Sequence, residues 1–440
     1  MVALGCAKNL VDAEQMLGAL TAVGYELTAQ PAEADVIIVN TCSFLEAARE
    51  EALREIRQAA RHKTKGRCQV LVVSGCLAQM HPELIQERCP EVDAVLGVST
   101  FPRIAGIVEQ LRREQGWRPI EVELPNMPYQ EYLPRRRATP PWTAYVKIAE
   151  GCNCNCTFCT IPSIRGAFRS RPMEAVVREA EALAADGVRE LVLIAEDLTH
   201  YGHDQYGRRR LGDLLRRLGE VGGVDWIRLL YCYPTKLDDD LITAMAEVPQ
   251  VLPYVDMPLQ HAHDGILRAM NRGGRRASYL KLLDKLRAAL PEVCVRSTFI
   301  VGFPGEHREE LAALETFLVE AQLDRVGFFP YSREPGTPAA DLPGQVPGGV
   351  ARARIARLAA LQEEISAARQ SALLGRRLEV LVEATGAAGE PFEVLGRSYR
   401  DAPEIDGVVR VSGQAQPGEL VTVEVTGTTT HDLEARLVSC

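Results

Sequence analysis

Between residues 144 and 369 a strand-like run recurs six times, at 145–149, 191–195, 226–231, 254–259, 295–301 and 326–331, and most runs are followed by a helix-patterned stretch. Serial strand–helix units of this kind wind into a parallel sheet, with the helices covering its outer face. A closed barrel of this type takes eight units, so six predict an open, partial (βα)6 barrel over residues 142–370. The chemistry of such a fold is expected at the C-terminal ends of its strands.

The flanking segments differ in pattern. Residues 1–125 alternate short apolar runs (VIIVN at 36–40, VLVVS at 70–74 and a short run at 2–4) with helical patterns over 11–23 and 43–62, which predicts a smaller parallel α/β domain. A polar, proline-bearing stretch over 126–141 reads as a linker. After the helical pattern at 350–374, short β-type runs (LEVLVEA, GVVRV, LVTVEVTG) between Gly, Pro and Asp turns predict a small β-barrel over 371–440. At about 100–200 residues per domain, 440 residues accommodate these three units.

A net charge of −9 excludes a generally basic nucleic-acid coat. No apolar run approaches the roughly 20 residues of a membrane span, and the N-terminus lacks a signal-peptide layout, so a cytoplasmic, soluble protein is expected. In that compartment 12 cysteines point to metal ligation or redox chemistry rather than a disulfide framework.

The densest cysteine motif is EGCNCNCTFCTIPSIRG at 150–166, directly after the first barrel strand. Cys152, Cys156 and Cys159 stand at C-x3-C-x2-C spacing, and three thiolates on one loop can hold three irons of a cubane while leaving the fourth open. A zinc knot that also uses Cys154 is the competing reading, although zinc knots usually pair two C-x2-C hooks and only one is present. A second set is dispersed: Cys6 (LGC), Cys42 (NTC) and Cys76 (SGC) each follow a predicted strand of the N-terminal domain. In a parallel sheet these positions share the carboxyl edge, where open α/β sheets bind ligands, so they are candidate ligands of a second cluster. Buried strand-end cysteines acting as small hydrophobes are the alternative. Cys68, Cys89, Cys232, Cys294 and Cys440 show no matching spacing and read as core or incidental thiols.

The 152–159 motif, with Phe158 before its last Cys, resembles the radical S-adenosylmethionine superfamily. Together with the N-terminal cysteines and the terminal β-barrel, the whole chain resembles the methylthiotransferase family. That resemblance implies two 4Fe–4S clusters, held by Cys152, Cys156 and Cys159 and by Cys6, Cys42 and Cys76. It also implies S-adenosylmethionine as both radical source and methyl donor, an electron donor such as a flavodoxin, and a TRAM-like C-terminal barrel that engages the macromolecular substrate. Phe158, Glu196, Asp197, Gly302 and Glu306 are the candidate cofactor contacts. His261, beside Gln260, is read as structural.

Within the family, LGCAKNLVDAE (4–14), DMPLQHA (256–262) and GRSYRDAPEIDGVV (396–409) resemble the branch that modifies the β-carbon of an aspartate in small-subunit ribosomal protein twelve, free or in the assembling 30S subunit. The alternative is the same chemistry on isopentenyladenosine of tRNA. Residues 371–440 carry six Arg, no Lys and eleven Asp plus Glu, a net of −5. An RNA-holding module is expected to be basic, whereas an acidic one suits a basic protein partner, so no stable nucleic-acid binding is expected. The basic runs 135–137 and 208–210 read as solvated.

Overall fold

The computed structural model describes residues 1–114, 116–124, 135–386 and 392–438. Most of the segment expected as a linker, together with Cys440, lies outside the described residues.

The N-terminal sheet is wholly parallel and has five strands in chain order: Val2–Ala3, Val36–Thr41, Val70–Gly75, Ala94–Leu96 and Ile120–Glu121. The last two were not legible in the sequence, being three and two residues long. Both faces of the sheet are covered. Ile37, Val39, Leu71 and Val73 pack on the helix Glu46–Ala60, while Ile38, Val70 and Val72 pack on the helices Ala7–Ala22 and Ile104–Arg113. The uninterrupted apolar character of the central strands follows from this two-sided burial.

Six parallel strands form the second sheet, again in chain order: Thr143–Lys147, Glu190–Ile194, Trp226–Leu229, Val251–Asp256, Cys294–Val301 and Arg325–Pro330. Leu191, Leu193, Ile227 and Val255 face the covering helices. Val192, Ile194, Trp226 and Tyr254 face the concave side, and there they join a cluster that includes Val11 of the N-terminal domain and Leu381 and Ala402 of the C-terminal one. An open barrel leaves its interior uncovered, and here the other two domains fill it.

The C-terminal domain is a closed five-stranded barrel of Arg377–Thr385, Val394–Ser398, Val409–Ser412, Leu433–Leu437 and Leu420–Thr428 in spatial order, with a core of alternate residues such as Val380, Val382, Val411, Val423 and Val425. It is seated on the concave side of the larger sheet by buried ion pairs. Glu190 accepts from Arg228 at 2.8 Å and from Arg397 at 2.6 Å, Asp401 from Arg325 at 2.8 Å, and Asp324 from Arg400 at 2.8 Å. Two guanidinium groups hold the Glu190 carboxyl at a pKa of about 2 against the opposing effect of burial.

The basic run at 135–137 is solvated only in part: Arg136 is exposed, but Arg135 is largely buried and bridges Glu14 at 2.6 Å and Glu179 at 2.8 Å. Arg208, Arg209 and Arg210 are more open, and each is paired with Asp213 or Asp238. Periodicity shows where a charge lies along the chain but not which acid folds against it. Among the described residues no helix is long and apolar enough to cross a membrane.

Candidate active site

The loop with Cys152, Cys156 and Cys159 starts at the mouth of the larger sheet. It is anchored on the segment after the short helix Asp264–Ala269: Thr157 donates its N–H to Met270 O at 3.0 Å and its Oγ1 to Ala269 O at 2.8 Å. Burial raises the pKa of Cys156 and pushes Cys159 up to about 12, while a hydrogen bond shared with Cys154, followed by burial, raises Cys152. Cys154 is oriented differently. It lies 3.5 Å from Asp197 Oδ2 and 3.3 Å from Lys236 Nζ, and its hydrogen bond with Cys152 contributes most to lowering its pKa to about 7. The Arg272 guanidinium lies 3.7 Å from Cys156 Sγ and 3.9 Å from the Tyr233 ring.

Cys6, Cys42 and Cys76 stand at the carboxyl ends of the first three strands of the small sheet. Two glycines allow the close approach. Gly5 has φ +95°, and a Cβ there would lie 2.7 Å from Cys42 Cβ. Gly75 also has φ +95°, and its Cβ would lie 2.4 Å from Asn40 Oδ1. Neither position tolerates a side chain, which is the physical content of the LGC and SGC strings. Asn9 stitches the loops, donating to Leu4 O and Thr41 O at 3.0 Å each and accepting from Cys76 Sγ at 3.6 Å.

The helix that follows the Cys152–Cys159 loop meets the N-terminal cysteine loops. Arg165, on the short helix Ile161–Arg165 that follows Cys159, reaches Cys76 Sγ at 3.7 Å and Asn9 Oδ1 at 2.5 Å. It also donates to Asp12 at 2.7 Å and Glu150 at 2.6 Å, and Lys147 bonds the same two carboxylates. Burial opposes ionisation of Glu150, but Lys147 and Arg165 hold its pKa down to about 2.

Other expected contacts separate. Asp197 is engaged by Lys236 and by Thr199 Oγ1 at 2.8 Å. Glu196 turns toward the small domain, with both carboxylate oxygens buried and without a donor, and burial raises its pKa. Phe158 packs edge-on against Phe303 at 6.4 Å in a small apolar group with Ile266 and Met270. Gly302 and Glu306 belong to the wall of the mouth. A Cβ on Gly302 would lie 2.6 Å from Ala351 Cβ, and Glu306 accepts from Gly302 N–H at 2.9 Å and Arg354 at 2.7 Å, with His261 3.4 Å away.

Lys8, Arg165, Tyr231, Lys236 and Arg272 were missed by sequence reasoning. Adjacency to Cys6 and Cys159 could have flagged Lys8 and Arg165; nothing in the local pattern marks the other three.

Among the described residues no three His, Cys, Asp or Glu side chains gather closely enough for a single metal ion. In a cubane each thiolate binds a different iron, so ligands need not converge on one point. The donor chemistry suits that group: the eleven described cysteines are free thiols, and each triad has a guanidinium within 3.7 Å of one sulfur to offset thiolate charge.

The fold and these loops define a radical S-adenosylmethionine protein. Residues 146–318 match the Radical SAM superfamily, residues 1–97 match Uncharacterized protein family UPF0004, and residues 374–438 match the TRAM domain. The chain belongs to the radical-SAM methylthiotransferase family, in the RimO branch. It is 46% identical over 440 residues to the ribosomal protein uS12 methylthiotransferase RimO of Pelotomaculum thermopropionicum, covering 100% of this chain and 98% of that one. The protein of the same name from Moorella thermoacetica is 48% identical, covering 97% and 96%. The fold also resembles the radical S-adenosylmethionine methyltransferase TsrM of Kitasatospora setae, at a TM-score of 0.55 and 15% identity over 76% of this chain and 74% of that one.

Proposed function

We propose that the protein methylthiolates small-subunit ribosomal protein uS12 at the β-carbon of an aspartate, and that it holds two 4Fe–4S clusters to do so. The observation that carries this reading is that Arg165, on the helix that follows Cys159, bonds Asn9 and lies 3.7 Å from Cys76 Sγ, which supports the two cysteine-bearing loops sharing one seam. Cys152, Cys156 and Cys159 would hold the cluster that binds S-adenosylmethionine, and Cys6, Cys42 and Cys76 the second. When bound, these groups supply a deoxyadenosyl radical from the first site and a sulfur or methylthio group from the second, with S-adenosylmethionine also giving the methyl.

The chain's own part is placement. Such chemistry is controlled by the distance between the groups that react. The Asp12–Lys147–Glu150–Arg165 network ties the helix after Cys6 to the strand before Cys152 and to the turn after Cys159. Burial of this charge excludes bulk water from the seam and strengthens each bond in it. Asp197 and Lys236 lie beside Cys154 at the mouth and are positioned to bind polar groups of the cofactor. Electrons would come from a small reductant of the flavodoxin kind.

The C-terminal barrel supports a protein substrate. It buries two Arg and two Asp in its seam, Arg397, Arg400, Asp401 and Asp406, so the excess of acid outside the seam is unchanged. That charge suits a basic protein and opposes phosphate.

The test is to incubate the anaerobically reconstituted enzyme with S-adenosylmethionine, sulfide and a reductant, offering uS12 and isopentenylated tRNA in parallel. A methylthio mass gain on an aspartate of uS12 is expected. Gain on the tRNA alone would refute the substrate while leaving the family standing.

A further inference from the structure

Among the described residues of the seam, Lys8 and Glu196 stand outside the bonded charge network. Lys147 and Arg165 face Asp12 and Glu150, two cations against two anions, all mutually bonded. Lys8, on the first turn of the helix that follows Cys6, is 7% exposed, and no carboxylate among the described residues lies within salt-bridge distance of its ammonium. A buried structural lysine is usually bonded to a carboxylate, because the pairing offsets the loss of its hydration.

What surrounds Lys8 is rigid. Its Nζ stands 3.6 Å from the centroid of the Tyr231 ring. Tyr231 has φ +64°, a conformation that bulky residues adopt only when the surroundings hold them in it. Its N–H is bonded to Asp256 Oδ2 at 3.0 Å, and its carbonyl accepts from Leu198 N–H at 3.1 Å. Cys6 and the nearby Glu196 act on Lys8 through space without bonding it, and the two buried oxygens of Glu196 have no donor. Lys8 therefore has no bonded anion, and Glu196 has no bonded donor. A peptide segment bearing an acidic side chain supplies both, a carboxylate and a backbone N–H.

We propose that Lys8 is the substrate-recognition residue for the carboxylate of the target aspartate, and that Glu196 takes a peptide N–H of the same segment. This rests on the reading of the chain as an aspartate methylthiotransferase. The chemistry makes the carboxylate the right handle, because the β-carbon is bonded directly to it. An ammonium two residues from Cys6 and stacked on a residue of the barrel mouth fixes that carbon between the triads. A nucleobase has no such group. S-adenosylmethionine carries the other carboxylate present, but its site is expected at the Cys152–Cys159 loop, whereas Lys8 belongs to the opposite side of the seam.

The experiment uses the full-length, anaerobically reconstituted enzyme without reductant. It measures binding of uS12 carrying either the target aspartate or its asparagine isostere, with S-adenosylmethionine affinity and iron content measured alongside. For the unchanged enzyme, asparagine is expected to weaken binding by about tenfold to a hundredfold, the scale of one charge-assisted hydrogen bond. Lys8→Met and Lys8→Gln should each weaken the aspartate form by that factor and bind the two forms alike, and Lys8→Arg should keep a preference for aspartate. Preserved discrimination in Lys8→Met and Lys8→Gln overturns the proposal, as does a loss confined to S-adenosylmethionine affinity. If Lys8→Met loses iron, Lys8→Gln and Lys8→Arg decide the matter between them. An unchanged enzyme that neither binds nor modifies uS12 would refute the functional reading instead.

Discussion

The partial barrel has two filled seams, and they are built on opposite rules. Where the C-terminal barrel enters, the buried carboxylates are matched: Glu190 by Arg228 and Arg397, Asp401 by Arg325, Asp324 by Arg400, and Asp406 by Tyr254 Oη at 2.6 Å. Where the N-terminal domain enters, a core of four bonded charges is flanked by Lys8 without an acid and Glu196 without a donor. A matched seam fixes how the domains sit. A seam with unmatched charge carries a cost that folding alone does not recover, and such groups are found where a ligand completes them.

The largest effect is expected from removing a ligand at the unmatched seam. Cys42→Ala should reduce methylthio transfer to background while S-adenosylmethionine cleavage persists, read by uS12 mass and by deoxyadenosine release. Simultaneous loss of both activities would show that the two triads do not divide the labour.

At the matched seam the expected loss is of stability. Glu190→Ala leaves Arg228 and Arg397 buried and unpaired, which should destabilise the fold by about 3–5 kcal/mol in chemical denaturation. A change below about 1 kcal/mol would mean that the barrel is held by its apolar contacts alone.

The same residue predicts an acid limb. Its folded pKa of about 2 lies below the ordinary 4.5, so its contribution is complete above 4.5 and is lost as the pH falls toward 2. That loss is of the order of 3 kcal/mol at the acid end. Glu190→Gln should flatten the slope of stability against pH in this window, and an unchanged slope would assign the limb to other carboxylates.

The smallest effect sharpens the contrast. Burial raises the folded pKa of Glu196, so this group favours folding at low pH and its contribution fades as the pH rises. Glu196→Gln should therefore leave the protein as stable as before or more stable at neutral pH, by about 1 kcal/mol or less. A large loss would show that Glu196 is a structural member of the seam, matched in solution.

Much of this could be read in the linear chain, for definable reasons. The six barrel strands are buried and spaced by helices, and each appears where its apolar run predicted it. The strands Ala94–Leu96 and Ile120–Glu121 were missed because two or three residues cannot display a period. In the C-terminal barrel Val394–Ser398 was missed because Gly396, Arg397 and Ser398 hide its burial, and Leu433–Leu437 was missed although it alternates buried and exposed residues. The Cys152–Cys159 motif stood out because its spacing is local, and Cys6, Cys42 and Cys76 because each follows a strand. Arg165 and Lys8 lay inside strings that had already been singled out, yet their roles depend on partners far along the chain: Arg165 and Cys76 are 89 residues apart.

Local order along the chain therefore specified most strands of the three sheets and the Cys152–Cys159 motif, because strand burial and close thiol spacing are properties of neighbouring residues. Which charges meet was settled by the packing of the domains. Asp12 finds Lys147 and Arg165, Glu190 finds Arg397, and Lys8 is left against Tyr231 with no bonded acid among the described residues. Pairing across a seam depends on distances in space between residues more than a hundred positions apart, and no periodicity records those distances.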